Sequence, residues 1–227
     1  MSILNNLNEI QRRITAACDR CGRNPSEVTL VAVSKTMSVV RIEEAMDAGI
    51  TTFGENRIQE AWQKYQAISQ RVHWHFIGHL QTNKAKRAVQ FADVIEAVDS
   101  YHLAAEIDKR ARELDRRVEI YVQVNTSGEY QKSGVSPEEA VAFVDQISCF
   151  KNLDVTGLMT IGAFLPDPEQ VRPNFTRLRQ LRDMINDSDR VQKLSHLSMG
   201  MTDDFEVAIE EGATVIRIGR ALFGERV

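Results

Sequence analysis

The sequence predicts an α/β fold, a single (β/α)8 TIM barrel over residues 1–227 with an extra helix ahead of the first strand. Three observations carry that prediction. Eight short apolar runs recur at even spacing, amphipathic segments fill most of the gaps between them, and no linker or shift of composition divides the 227 residues. An open doubly wound sheet shares the alternation. It would normally carry a glycine-rich phosphate turn after its first strand, where this chain has Ser34-Lys35-Thr36.

From Met1 to Cys21 the pattern is an amphipathic helix, with Ile3, Leu4, Leu7, Ile10, Ile14, Ala17 and Cys18 on one side. The first strand, 29–35, leads to a helix over 39–48 that Gly49 closes in the manner of a C-terminal cap. Strands over 51–56 and 72–78 lead to helices over 58–68 and 83–91, and a strand over 94–100 leads to a helix over 101–114. Val118-Glu119-Ile120-Tyr121-Val122-Gln123-Val124 is rich in β-formers and sets the fifth strand, 118–125. Its helix, 137–150, opens on Pro137 with Ser136 as N-cap. Strands over 155–161 and 193–200 precede helices over 168–185 and 205–211, the latter closed by Gly212, and the eighth strand spans 214–219. Only 220–227 follow it, so the N-terminal helix is expected to cover that part of the wall.

The composition is that of an ordinary soluble globule, 43% hydrophobic and 26% charged. A net charge of -4 and a pI near 5.8 argue against a general nucleic-acid binder. The basic stretches Lys84-Ala85-Lys86-Arg87 and Arg110 to Arg117 are interleaved with acids on helices and read as solvated faces. No apolar run is long enough for a membrane span, and the N-terminus lacks a signal-peptide layout, which points to the cytoplasm. Three cysteines cannot all pair, in keeping with a reducing compartment. Cys18 and Cys21 form a C-x-x-C, but it closes a helix rather than following a strand and has no partner ligands near in sequence. Cys149 is expected in the core.

In a barrel of this kind functional groups gather at the C-terminal ends of the strands. Lys35 closes the apolar run Leu30-Val31-Ala32-Val33-Ser34. Taken alone, such a lysine reads as one that snorkels to water. In the functional alternative the amine at the edge of the core is partly desolvated, which favours its neutral, nucleophilic form and suits Schiff-base formation with an aldehyde such as that of pyridoxal phosphate. At the seventh and eighth strands, Leu197-Ser198-Met199-Gly200-Met201-Thr202 and Ile218-Gly219-Arg220-Ala221 supply a hydroxyl and close-approach backbone N–H groups where such barrels bind phosphate. Arg217 interrupts Val215-Ile216-Arg217-Ile218, where a buried guanidinium needs a partner. It either pairs with a barrel carboxylate such as Glu55 or faces the pyridine nitrogen of the cofactor. In the second case it keeps that nitrogen unprotonated and the ring a poor electron sink.

The motifs together resemble one family. Val31-Ala32-Val33-Ser34-Lys35-Thr36, Phe53-Gly54-Glu55-Asn56, the run from His75 to Lys84, Lys132-Ser133-Gly134, Gly157-Leu158-Met159-Thr160, the run from Leu197 to Asp204, and Arg217 to Gly224 are similar to the YggS/PROSC family of pyridoxal phosphate homeostasis proteins. The resemblance runs nearly end to end. It implies a barrel like the N-terminal domain of alanine racemase, with Lys35 as the Schiff-base lysine and Arg217 at the ring nitrogen. Ser198 and the backbone of Gly200, Gly219 and Arg220 would hold the phosphate, while Asn56 and Met159 would line the ring. Arg220 stands where this resemblance leads us to expect a smaller hydroxyl residue, so only its backbone carries over.

The implied function is binding of pyridoxal 5'-phosphate without established turnover, in intracellular homeostasis of the cofactor. Apo forms of pyridoxal phosphate enzymes are possible partners, and a monomer is expected. The alternative is a pyridoxal-phosphate-dependent amino-acid racemase, which needs a second proton carrier that Tyr130 would supply only if it were not a surface aromatic. A metal-dependent hydrolase is the third reading. His73 and His75 share a strand face, yet His102 and His196 do not complete a ligand set. His79 falls at a strand end, where it is either a cofactor contact or an ordinary loop histidine. Lys132, in a polar loop, is either a second amine able to meet an aldehyde or, as expected, a mobile surface lysine.

Overall fold

In the computed structural model, which describes residues 2–187 and 193–224, eight parallel strands close into a barrel in chain order. They are β1 (Thr29–Val33), β2 (Thr52–Glu55), β3 (His73–Phe76), β4 (Val94–Val98), β5 (Val118–Gln123), β6 (Leu153–Met159), β7 (His196–Ser198) and β8 (Val215–Ile218). The seam pairs Val31 of β1 with Arg217 of β8. Helices α1 (Ile3–Cys21), α2 (Val39–Asp47), α3 (Ile58–Ala67), α4 (Ala85–Phe91), α5 (Tyr101–Glu113), α6 (Pro137–Ile147), α7 (Arg172–Asp187), α8 (Phe205–Glu210) and α9 (Arg220–Phe223) surround it. None of the helices among the described residues is long and apolar enough to cross a membrane.

Strand alternation divides the core in two. Ile216 and Ile218 of β8 join the large cluster between strands and helices, whereas Val215 joins Val31, Val94, Ala97, Tyr121 and Met159 inside the barrel. Arg217 has the parity of Val215 and so faces inward.

Helix α1 buries Ile3, Leu7, Ile10, Ile14, Ala17 and Cys18, a stripe at helical spacing, and leaves Leu4 exposed at its margin. The Ser2 hydroxyl accepts the Asn5 N–H, and Gly22 ends the helix at φ 69°. The stripe covers α8, α9 and α2. Arg13 pairs with Glu206 at 2.8 Å, and the Asn6 amide donates to Leu222 O at 2.8 Å. The N-terminal helix thus covers the wall beside the last strand, as expected, although it starts at Ile3 and Met1 lies outside the described residues.

All eight expected strands are present, most of them shorter at the mouth because their last residues turn away into loops. Strand β1 stops at Val33; β7 keeps only three residues, since the Asn186 side chain bonds both N and O of Leu194 and Gly200 breaks the strand at φ 91°. Helix α7 begins at Arg172 rather than 168, after a separate 3-10 turn at Pro168–Gln170 that Asp167 caps. Residues 220–223, expected as a tail, form α9. Three side-chain expectations are also corrected. Cys149 is exposed, because it lies beyond the last turn of α6, where its thiol meets Gln146 O. Ser136 occupies the N-cap of α6 but spends its hydroxyl on the Glu139 carboxylate at 2.6 Å. Of the basic stretch from Arg110 to Arg117, expected on a helix, only Arg110 and Arg112 lie on α5, where Arg110 pairs with Glu106 and Glu113. Arg116 and Arg117 fall in the loop before β5 and are bonded to Val89 O and Ala92 O and to Asp154.

Candidate functional site

A cavity of about 750 Å³ opens at the C-terminal ends of the strands, with Lys35, Asn56, Thr202, Arg217, Gly219 and Arg220 in its walls. A neighbouring one of about 320 Å³ shares Val33, Lys35, Gly219 and Arg220 with it.

Lys35 sits in a tight turn. Met37 N donates to Ser34 O at 2.9 Å, and Thr36 takes φ 67°, a left-handed conformation that a β-branched residue rarely adopts. The turn brings the half-buried Lys35 to the cavity wall. Behind it Glu55, fully buried, accepts the Ser34 hydroxyl and the Lys64 ammonium, both at 2.7 Å. Burial pushes the Glu55 carboxyl above its usual range against the pull of Lys64 and Ser34.

Arg217 is 4% exposed. Its Nη1 donates to the Ser198 hydroxyl at 2.6 Å and its Nη2 to Thr160 O at 2.7 Å. The nearest carboxylate is Glu96, at 3.8 Å, so the expected pairing with Glu55 is not made: Glu55 has the opposite strand parity and turns outward to α3. Glu96, buried inside the barrel, also holds Ser198 Oγ and His75 Nδ1, each at 2.6 Å. Burial pushes the Glu96 carboxyl up, but the bond to His75, the charges of His75 and Arg217 and the Ser198 hydroxyl outweigh it and hold it below the usual range. Burial lowers Arg217 against the attraction of Glu96 and Asp204, yet a guanidinium stays charged at neutral pH.

The hydroxyl at the mouth is not the one expected. Ser198 is fully buried inside the barrel, its oxygen shared between Glu96 and Arg217, and it is not among the cavity walls. Gly200 at φ 91° turns the chain and lies so close to α8 that a Cβ would meet Ala208 Cβ at 2.6 Å. Past that turn, Met201 and Thr202 reach the cavity, with Asp204 accepting the Met201 N–H. Thr202 Oγ1 lies 3.4 Å from Ala221 N, next to the Gly219–Arg220 backbone. Gly219 has no positive φ, and a Cβ there would meet Val33 only at 3.5 Å, so the missing side chain leaves wall space that the chain itself does not require. The Arg220 side chain pairs with Asp203 across the rim.

Asn56 lines the cavity and is crowded by Gly78, where a Cβ would lie 2.4 Å from Asn56 O. Met159 is buried one layer beneath, in the interior cluster, rather than on the wall. His79 is an exposed wall residue, and Tyr130 is fully exposed. Lys132 is not a mobile surface lysine: it lines the cavity, donates to Gly162 O at 2.9 Å, pairs with Glu129 and covers the Phe164 ring. His73 is exposed while His75 is bonded to Glu96, and among the described residues no three His, Cys, Asp or Glu side chains gather as a metal site. Thr202, Glu96 and the Glu55–Lys64 pair were missed from the sequence. An acid inside Val94-Ile95-Glu96-Ala97-Val98 is the same anomaly as Arg217 in its own strand and could have flagged Glu96.

The site thus sets an amine, a buried guanidinium and a hydroxyl-and-backbone corner around one opening. Residues 5–227 match the family model described as "Alanine racemase, N-terminal domain". The chain is 44% identical, over 227 residues covering 100% of it and 99% of the relative, to the pyridoxal phosphate homeostasis protein of Aquifex aeolicus (strain VF5). It superposes with TM-score 0.86 and 33% identity on PipY of Synechococcus elongatus PCC7942, solved with PLP bound, covering 98% of this chain and 100% of that one. Alanine racemase of Clostridium difficile 630 shares the fold, with TM-score 0.78 and 15% identity over 99% of this chain and 57% of that one.

Proposed function

The chain belongs to the pyridoxal phosphate homeostasis protein family, and from that premise we propose that it holds pyridoxal 5'-phosphate as a Schiff base on Lys35 and buffers the cofactor without turning it over. The observation that carries this reading is the cavity itself, which Lys35, Arg217, Thr202, Gly219 and Arg220 all line. Bound there, the cofactor would supply an aldehyde for an amine, on a ring that draws electrons only weakly while its nitrogen stays unprotonated. Lys35 would provide the amine. Thr202 Oγ1 and the backbone N–H groups of Gly219 and Arg220 would hold the phosphate, with Gly200 setting the turn that delivers Thr202. Arg217, held by Ser198 and Thr160 O, would keep the ring nitrogen unprotonated. Asn56 would border the ring, and Met159 would support it from the layer below. Ser198 enters as the anchor of Arg217 and not as a phosphate ligand.

The monomer is taken as the working unit, because these groups all come from one chain, and the cytoplasm as its compartment. Apo forms of pyridoxal phosphate enzymes are the proposed recipients. A racemase reading rests on fold alone, and Tyr130, its candidate second proton carrier, stands in solvent outside the cavity walls.

Borohydride reduction of the loaded protein, followed by peptide mass spectrometry, tests the central link. The expected adduct is on Lys35, and Lys35→Ala should lack both adduct and visible absorbance. An adduct elsewhere overturns the reading. Incubation with L-amino acids in deuterated water should leave the α-hydrogen in place; rapid exchange or loss of stereochemistry would establish an enzyme instead. Transfer to an apoenzyme in the presence of a free-aldehyde trap tests direct delivery.

A further inference from the structure

Between the barrel wall and α3, behind the Lys35 turn, lies a charge cluster with no part in the cofactor reading. Lys64 is 5% exposed, and its ammonium donates to Ser34 O at 2.7 Å, Glu55 Oε1 at 2.7 Å and Glu60 Oε1 at 2.6 Å. Those are all the donors an ammonium has. Glu60 Oε1 also accepts the Thr36 N–H. The residues on both sides of Lys35 are therefore tied through their main chain, Ser34 to Lys64 and Thr36 to Glu60. Thr36 stands at φ 67°, and such a conformation persists only where its surroundings impose it.

The arrangement is a poor one for stability alone. Glu55 Oε2 is buried without a hydrogen-bond partner, and a well-packed apolar group commonly serves as well as a buried ion pair. What the cluster does secure is the geometry of one turn. We infer that Lys64, with Glu60, is a positioning device for Lys35: it holds the Ser34–Met37 turn so that the amine is presented to the cavity, and it adds nothing to recognition of the ring or phosphate. The inference rests on the Lys35 reading given above.

Two ligands separate these contributions. Pyridoxal 5'-phosphate can link to Lys35; pyridoxine 5'-phosphate has the same ring and phosphate but an alcohol in place of the aldehyde. In rapid mixing, Lys64→Met should develop the visible Schiff-base band at least ~10-fold more slowly than wild type, while its affinity for pyridoxine 5'-phosphate changes less than ~3-fold. Glu60→Leu should act in the same direction. Glu60→Gln, which retains an acceptor for the Thr36 N–H, should restore the wild-type rate. Glu60 is half-buried, at the outer edge of the cluster, and Glu60→Gln keeps its shape, so this pair decides the matter even if Lys64→Met does not fold. Wild-type rates in both Lys64→Met and Glu60→Leu, or parallel loss of both ligands, overturn the inference alone. Absence of the band from the wild-type protein overturns the Lys35 reading and the inference with it.

Discussion

Ser198 gives its only proton to Glu96 Oε2 at 2.6 Å, which leaves its oxygen to accept from Arg217 Nη1 at the same distance. The direction of both bonds is thereby set. Glu96 aims Ser198, and Ser198 aims the guanidinium that lines the cavity.

Ser198→Ala should for that reason act on stability. It leaves Arg217 and Glu96 each short of a bond in the interior, a loss of about 1–3 kcal/mol that urea denaturation would register. Thr202→Val should do the reverse, with stability within about 0.5 kcal/mol of wild type and affinity for pyridoxal 5'-phosphate several-fold weaker, by about 0.5–1.5 kcal/mol. Equal binding by wild type and Thr202→Val would return the phosphate role to another group.

The two buried glutamates should bend the pH profile of stability in opposite directions. Glu96 is held below the usual carboxylate range, so the stability it contributes is present above the ordinary glutamate value, about 4.3, and is lost as pH falls through its lower folded value. Glu55 is pushed up by burial, so the folded state binds the extra proton and stability falls as pH rises through its folded value. Relative to wild type, Glu96→Gln should lose its deficit on acidification, whereas Glu55→Gln should gain as pH rises. Urea midpoints measured across the acid range would check both slopes.

Gly78→Ala should damage the site through packing. The added methyl would sit 2.4 Å from Asn56 O, a backbone atom that can yield only if the end of β2 moves. The expected loss is about 1–3 kcal/mol of stability, together with weaker cofactor binding as Asn56 shifts. Thermal melts and a titration would detect both.

Arg220→Ser should be mild. The side chain is half exposed and paired with Asp203, an ion pair worth less than about 1 kcal/mol. If the backbone holds the phosphate, affinity should fall by less than about 10-fold and depend less on salt. Abolished binding would move the contact from the backbone to the guanidinium.

The barrel was legible because each apolar run is bounded by charged, periodic helices, and the number and order of strands follow from that rhythm. Strand ends were less so. The residues expected to finish β1 and β7 are bent away by Thr36 and Gly200 at positive φ, and neither bend is encoded in hydrophobicity. Ser198, near the end of the expected strand over 193–200, therefore reads from the sequence as a contact at the mouth. In the fold its oxygen is taken up by Glu96 and Arg217 inside the barrel, and Thr202, beyond the glycine, is the hydroxyl that reaches the rim. Lys35 and Arg217 were legible as charges out of place in apolar strands. Lys132 and Lys64 were not, since a loop and a helix face each give a lysine ample reason to be ordinary until the third dimension supplies Gly162 O and Ser34 O.

The docking of α1 on α8 and α9 has a consequence for biogenesis. Asn6 finds its acceptor on Leu222, 216 positions further along the chain. During synthesis the stripe from Ile3 to Cys18 emerges from the ribosome long before the surface that will shield it. Most of that stripe therefore has its native cover only once α8 and α9 have been made, and closing the ring on α1 is a contact of very high sequence separation.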